Sequence, residues 1–172
     1  MSLDLYIKSN TLVQHRGTGI YVRNDGGTQE LTTKEEVLNY FPDANPDEIE
    51  EKYFTDSEFF HMNITHNLTK MADKCGTLAK CDCCSNNALV TLYDLLWHPE
   101  ENLKITVPNM GYLDAVMECY KNLLKHPDFF KQYNPKNGWG SYEQLVAKTK
   151  EYIKALLSIS DDFENYTIVT SA

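Results

Sequence analysis

The sequence predicts an α+β domain over residues 1–172, a small, mainly antiparallel sheet that includes both termini and is packed with four to five helices. Three observations predict it. Leu3, Leu5 and Ile7 alternate with Asp4, Tyr6 and Lys8, the period-two pattern of a strand with one face on a core. Tyr166 to Thr170 is rich in β-formers and reads as a closing strand able to pair with the first. Between them the apolar residues recur at helical spacing.

Taken in order, Gly19 to Arg23 and Thr28 to Leu31 flank Asn24-Asp25-Gly26-Gly27, residue types that take the positive φ a tight turn demands, so a hairpin is expected. Thr33-Lys34-Glu35-Glu36 matches a capping box, with Val37, Tyr40 and Phe41 as the apolar face of a brief helix that stops at Pro42. Asp43 to Glu51 carries five carboxylates and reads as a solvated connection or short polar helix. Asn63 is the expected N-cap of a helix whose stripe is Ile64, Leu68, Met71, Ala72 and Cys75. The Cys-rich stretch to Asn87 reads as a loop. Leu89, Leu92, Leu95 and Leu96 then define a helix ended by Pro99. Val116, Cys119, Tyr120, Leu123 and Leu124 mark a further helix that stops near His126-Pro127. Ser141-Tyr142-Glu143-Gln144 is a second capping box, followed by Leu145, Val146, Thr149, Tyr152, Ile153, Leu156 and Leu157. The connections are too short to hold a second domain.

Composition narrows the function. Lys and Arg number 16 against 25 Asp and Glu, a formal charge of -9, with a pI near 5.0. A surface of that sign repels phosphate backbones, so polymeric nucleic acid is not an expected partner. No run nears the roughly 18 apolar residues that cross a bilayer, and the opening residues lack the pattern of a secretory leader, so no membrane partner is expected either. The five cysteines are crowded and odd in number, which fits thiols in a reducing cytoplasm rather than a disulfide framework.

The candidate chemistry is polar and aromatic rather than nucleophilic. Cys81 and Cys84 form a C-x-x-C pair near Cys75 and Cys83, but a structural zinc site needs a second separated pair, so free thiols are expected and no metal. No phosphate-binding loop, nucleophile elbow or dinucleotide fingerprint is present. Asn63, Thr65, His66 and Asn67 gather hydrogen-bonding side chains where a helix start would offer free amides to an anion. Trp139 stands between Gly138 and Gly140, free to lie against a planar partner, and Tyr142 follows as a second stacking ring. Arg16, in His15-Arg16-Gly17-Thr18-Gly19, offers a forked cation to phosphate. Capping and packing account for several of the same residues without any ligand.

L-D-L-Y-I near Leu3, G-T-G-I-Y-V-R at Gly17 to Arg23, N-I-T-H-N-L at Asn63 to Leu68, L-Y-D-L-L-W-H-P-E-E at Leu92 to Glu101 and N-G-W-G-S-Y-E at Asn137 to Glu143 resemble a widespread family of small phage and prophage proteins. The resemblance runs nearly end to end, and the Cys81 to Cys84 cluster is not part of its pattern. More loosely, the chain is similar to anti-CBASS sponges, which hold cyclic nucleotide signals of bacterial defence. That likeness implies a non-enzymatic homo-oligomer in the host cytoplasm that binds a small nucleotide such as 3′,3′-cGAMP without a cofactor. Asn63, Thr65, His66 and Asn67 would give polar contacts, Trp139 and Tyr142 stacking, and Arg16 a phosphate contact. The acidic charge requires a locally cationic pocket for such a ligand. Two alternatives stand beside it: an acidic interaction protein that inhibits a defence nuclease, and a hydrolase using His66 with Glu143 or Glu100.

Overall fold

The computed structural model of the chain describes residues 1–24, 27–80, 87–102 and 110–172. Its main sheet is antiparallel and three-stranded, with β1 (Ser2–Gly17) between β4 (Lys52–Thr65) and β7 (Tyr166–Ser171). The first strand thus lies at the centre and the closing strand pairs with it, from Asp4 opposite Ser171 to Ser9 opposite Tyr166. The expected α+β class, with both chain ends in the sheet, is what the structure has. Leu3, Leu5 and Ile7 turn to one face with Met62, Ile64 and Ile168, and all six are buried.

β4 was not anticipated, and it corrects the reading of Asn63. That residue lies inside the strand, opposite Asp4, and caps no helix. The four-residue step from Ile64 to Leu68 mimics a helical stripe, yet Ile64 belongs to the strand and Leu68 to a 3-10 turn, His66–Leu68, whose cap is Thr65. The helix proper is α2 (Thr69–Lys74).

Two hairpins flank the sheet. One is the expected pair, β2 (Ile20–Asn24) with β3 (Gly27–Leu31). The other, β5 (Gly76–Lys80) with β6 (Asn87–Thr91), occupies ground read as loop and helix start. Leu89 is therefore a strand residue, and α3 (Leu92–Trp97) begins later, behind a reciprocal capping box of Thr91 and Asp94. Cys81, Cys83 and Cys84 lie outside the described residues.

The other helices are α1 (Lys34–Tyr40), α4 (Pro99–Asn102), α5 (Met110–Lys125), α6 (Pro127–Lys131) and α7 (Tyr142–Ser158). Several are only one or two turns long, which is why more helical segments are described than the four to five expected. Pro99 opens α4, where its missing N–H costs nothing, rather than only ending α3. Thr33 caps α1 as expected, but the Glu36 carboxylate accepts from the amide of Thr32, one residue short of the textual capping box. Ser141 caps α7 by accepting from the amide of Gln144.

The main core joins the inner sheet face to α2, α3, α5 and α7, and a smaller cluster of Val22, Leu31, Val37 and Ile49 ties the first hairpin to α1. Two phenols are fully buried within the main core. Tyr112 donates to the carbonyl of Leu95 at 2.6 Å, and the Tyr112 and Tyr152 oxygens are 2.7 Å apart. The residue four past Leu95 is Pro99, which has no N–H, so Tyr112 supplies the bond that the helix cannot. Tyr112→Phe should therefore strand both Leu95 and the Tyr152 hydroxyl and cost about 2–3 kcal/mol, whereas Tyr152→Phe removes one bond and should cost about 1 kcal/mol. Denaturant midpoints of the two variants test this ordering.

Candidate functional site

The amide-rich and indole-bearing stretches meet within one subunit. The Asn67 side-chain amide donates to the Trp139 carbonyl at 3.1 Å, the Trp139 amide donates to Asn137 Oδ1, and the Tyr142 amide donates to Asn134 Oδ1. Gly140 takes φ 105°, and a Cβ there would sit 3.0 Å from Thr65 Cγ2 and 3.1 Å from Leu68. A side chain at that position would keep the loop from lying against the turn.

Several of the groups expected to bind a ligand are engaged within the protein. Asn63 donates to Asp4 Oδ1 at 2.8 Å, and the Thr65 hydroxyl accepts from the Asn67 amide. Tyr142 is buried, its hydroxyl donates to the Leu123 carbonyl, and Lys131 Nζ lies 5.5 Å from its ring centre, so it offers no open stacking face. Burial also raises the pKa of its phenol. Trp139 is 73% exposed. His66 is half-buried in its 3-10 turn, and Glu143, offered as its acid partner, instead pairs with Lys131 at 3.4 Å. Arg16 is elsewhere altogether. It sits opposite Tyr53 toward the far end of the β1–β4 pairing from Ser2 and Thr65, donates to the Tyr53 hydroxyl at 2.8 Å and pairs with Glu51 at 3.6 Å. Arg16 therefore cannot share a site with Trp139.

A second concavity lies elsewhere in the fold. A cleft of about 1120 Å³ lies between β4, the first hairpin and α7. Phe54, Phe59 and Phe60 line it from the strand, and Gly19, Tyr21, Gly27 and Glu30 from the hairpin side. Lys148, Lys150 and Lys154 come from α7. The lysines follow from the amphipathic pattern of that helix: Leu145, Thr149, Tyr152, Ile153 and Leu156 are buried, which turns Lys150 and Lys154 to the solvent side. Phe60 stacks on Tyr152 at 5.9 Å and so ties α7 to the strand beneath.

The α7 wall carries Glu151 beside its three lysines, and Glu30, Asp56 and Glu58 line the other sides. Lys154 pairs with Glu151 at 2.8 Å, and burial holds the pKa of the Lys148 ammonium below its ordinary value. Across from them, Glu30 accepts from the Gly19 amide and Asp56 from the Glu58 amide. At one end His61 Nε2 lies 2.8 Å from Asp4 Oδ1 and stacks on Tyr6 at 4.6 Å. Hydrogen bonds from Asn63 and then His61 lower the Asp4 pKa from its usual value. Among the described residues no group of His, Cys, Asp and Glu is placed to hold a metal ion. No described helix is long and apolar enough to cross a membrane.

None of the seven residues expected from the sequence lines this cleft. The available signal was three lysines within the seven residues Lys148–Lys154 of an acidic chain, on the polar side of a helix read for its apolar stripe alone. No protein-family model matches the chain, and no match was found among curated proteins or solved structures.

Proposed function

We propose that the chain is a non-enzymatic, phage-encoded counter-defence protein that sequesters a small cyclic nucleotide such as 3′,3′-cGAMP in the host cytoplasm, and that the cleft between β4 and α7 is where it does so. The observation that carries this reading is the placing of Lys148, Lys150 and Lys154 on one wall of a concavity whose other surfaces bear Phe54, Phe59 and Tyr21. Ammonium groups suit phosphates, and exposed rings suit flat bases. About 1120 Å³ exceeds the space drug-sized ligands usually fill, which favours a dinucleotide over a mononucleotide. The three ammonium groups of α7 stand against four carboxylates that also line the cleft, Glu30, Asp56, Glu58 and Glu151, so the phosphate contacts are assigned to the lysines themselves and not to a net positive pocket. A homo-oligomer belongs to the same proposal, and the mass of the complex in solution measures it.

The test is capture followed by release. Protein incubated with 3′,3′-cGAMP, washed and heated should return the intact ligand; linear product, or no retained ligand, defeats the proposal. Replacing Lys150 and Lys154 together by Ala should weaken binding about tenfold or more, the scale of one charge-assisted hydrogen bond. Trp139→Ala should leave the affinity within about twofold, because the indole is no part of the cleft. The reverse pattern would return the site to the Asn67–Trp139 contact.

A further inference from the structure

The residues of β4 along the cleft are not those of one strand face. Phe54, Thr55 and Asp56 line it consecutively, as do Glu58, Phe59, Phe60, His61 and Met62. A face would present every second residue, so an unbroken run means that the cleft follows the strand's edge. That edge is open. β4 pairs with β1 on one side only and is an outer strand of the sheet, so every second residue turns its N–H and C=O away from β1.

The pairing is also broken at this place. Ile7 faces Phe60, Lys8 faces Glu58 and Val13 faces Asp56, which leaves Phe59 and Ser57 with no opposite residue on β1. Such irregularities bend a strand, free its main chain and re-aim its side chains. Phe59 leans edge-on against Tyr166 at 5.3 Å, with its ring 39% exposed, and Phe54 is 44% exposed.

We infer that the open edge of β4 from Phe59 to Met62 reads the hydrogen-bonding edge of a nucleobase through main-chain groups, while the base lies against the neighbouring aromatic rings and the α7 lysines face the phosphates. The inference rests on the capture reading and adds how the ligand is told apart from other anions. A strand edge and a base edge both set donors beside acceptors, each open to water wherever the protein does not already bind it, as Asp56 binds the Glu58 amide. A base with a blocked edge displaces that water without replacing its bonds.

The experiment uses the full chain, labelled with ¹⁵N, and two probes: 3′,3′-cGAMP, and the same molecule carrying N6,N6-dimethyladenine and N1,N2,N2-trimethylguanine. The second keeps the phosphates and the stacking surface but lacks the base-edge donors. The parent should shift the amide resonances of residues 54–62, and the methylated analogue should bind about tenfold or more weakly. Equal affinity for both probes, or parent-induced shifts that leave 54–62 untouched, overturns the inference while capture itself stands. Failure of both probes to bind removes the capture reading, and this inference with it.

Discussion

Leu5→Ala is expected to destabilise the protein by about 3–5 kcal/mol, a large share of the roughly 5–15 kcal/mol that holds a domain together. Leu5 has no exposed surface and sits on the central strand, with Met62 opposite on β4 and Thr170 opposite on β7. Strands on both sides fix the backbone at that point, so the space left by the side chain cannot close by a shift of β1 alone. The lost burial and the remaining cavity therefore add. Urea unfolding should show a lower midpoint with little change in slope. Leu12→Ala is the control: that side chain is 74% exposed, and its loss should stay within about 0.5 kcal/mol. A cost below about 1 kcal/mol for Leu5 would mean that the first strand is not the core of the sheet.

Gly140→Val is expected to cost about 3 kcal/mol or more, from two sources that act together. At φ 105° a β-branched residue is strained whatever surrounds it, and the new Cβ would meet Thr65 and Leu68 at 3.0–3.1 Å. Relieving the contact means lifting the 134–141 loop away from the 3-10 turn, which would break the Asn67–Trp139 hydrogen bond. Indole fluorescence and the thermal midpoint should change together. Gly138 separates the two causes. Its φ is 74°, but nothing lies within 4 Å of the site of its Cβ. Gly138→Ala should therefore show the backbone penalty alone, about 1–2 kcal/mol. Equal losses at both glycines would show that packing against Thr65 and Leu68 adds nothing.

The frame was legible where one physical rule dominated. Alternation in Leu3, Leu5 and Ile7, the β-formers after Tyr166 and the capping box at Ser141 each point to one element, and those elements are in place. β4 was not legible because most of it lies on an open edge: only its end, at Phe60, Met62 and Ile64, turns apolar side chains inward. With little buried surface in the first part, the strand has little alternation to display. The second hairpin was hidden by its neighbours, since Leu89 continues the spacing of Leu92, Leu95 and Leu96 although it faces solvent. The seven expected residues are dispersed for a different reason. Asn67 and Gly140 fasten a loop to a turn and Asn63 braces Asp4, and fastening uses the same hydrogen-bonding groups as recognition. The cleft is assembled from β2, β3, β4 and α7, far apart in the chain, and a single sequence carries no record of that convergence.

The place of the first strand between the other two has a consequence for biosynthesis. Asp4 finds its partner Ser171 only once β7 has been made, while β4 is available much earlier. A nascent chain can therefore assemble the β1–β4 ribbon yet leave the other flank of β1 bare until β7 clears the ribosome. During that interval the apolar side of Leu3, Leu5 and Ile7 lacks Ile168 above it. Translation that stalls between β4 and β7 would release a species with an unpaired, sticky strand, the kind that quality-control chaperones retain.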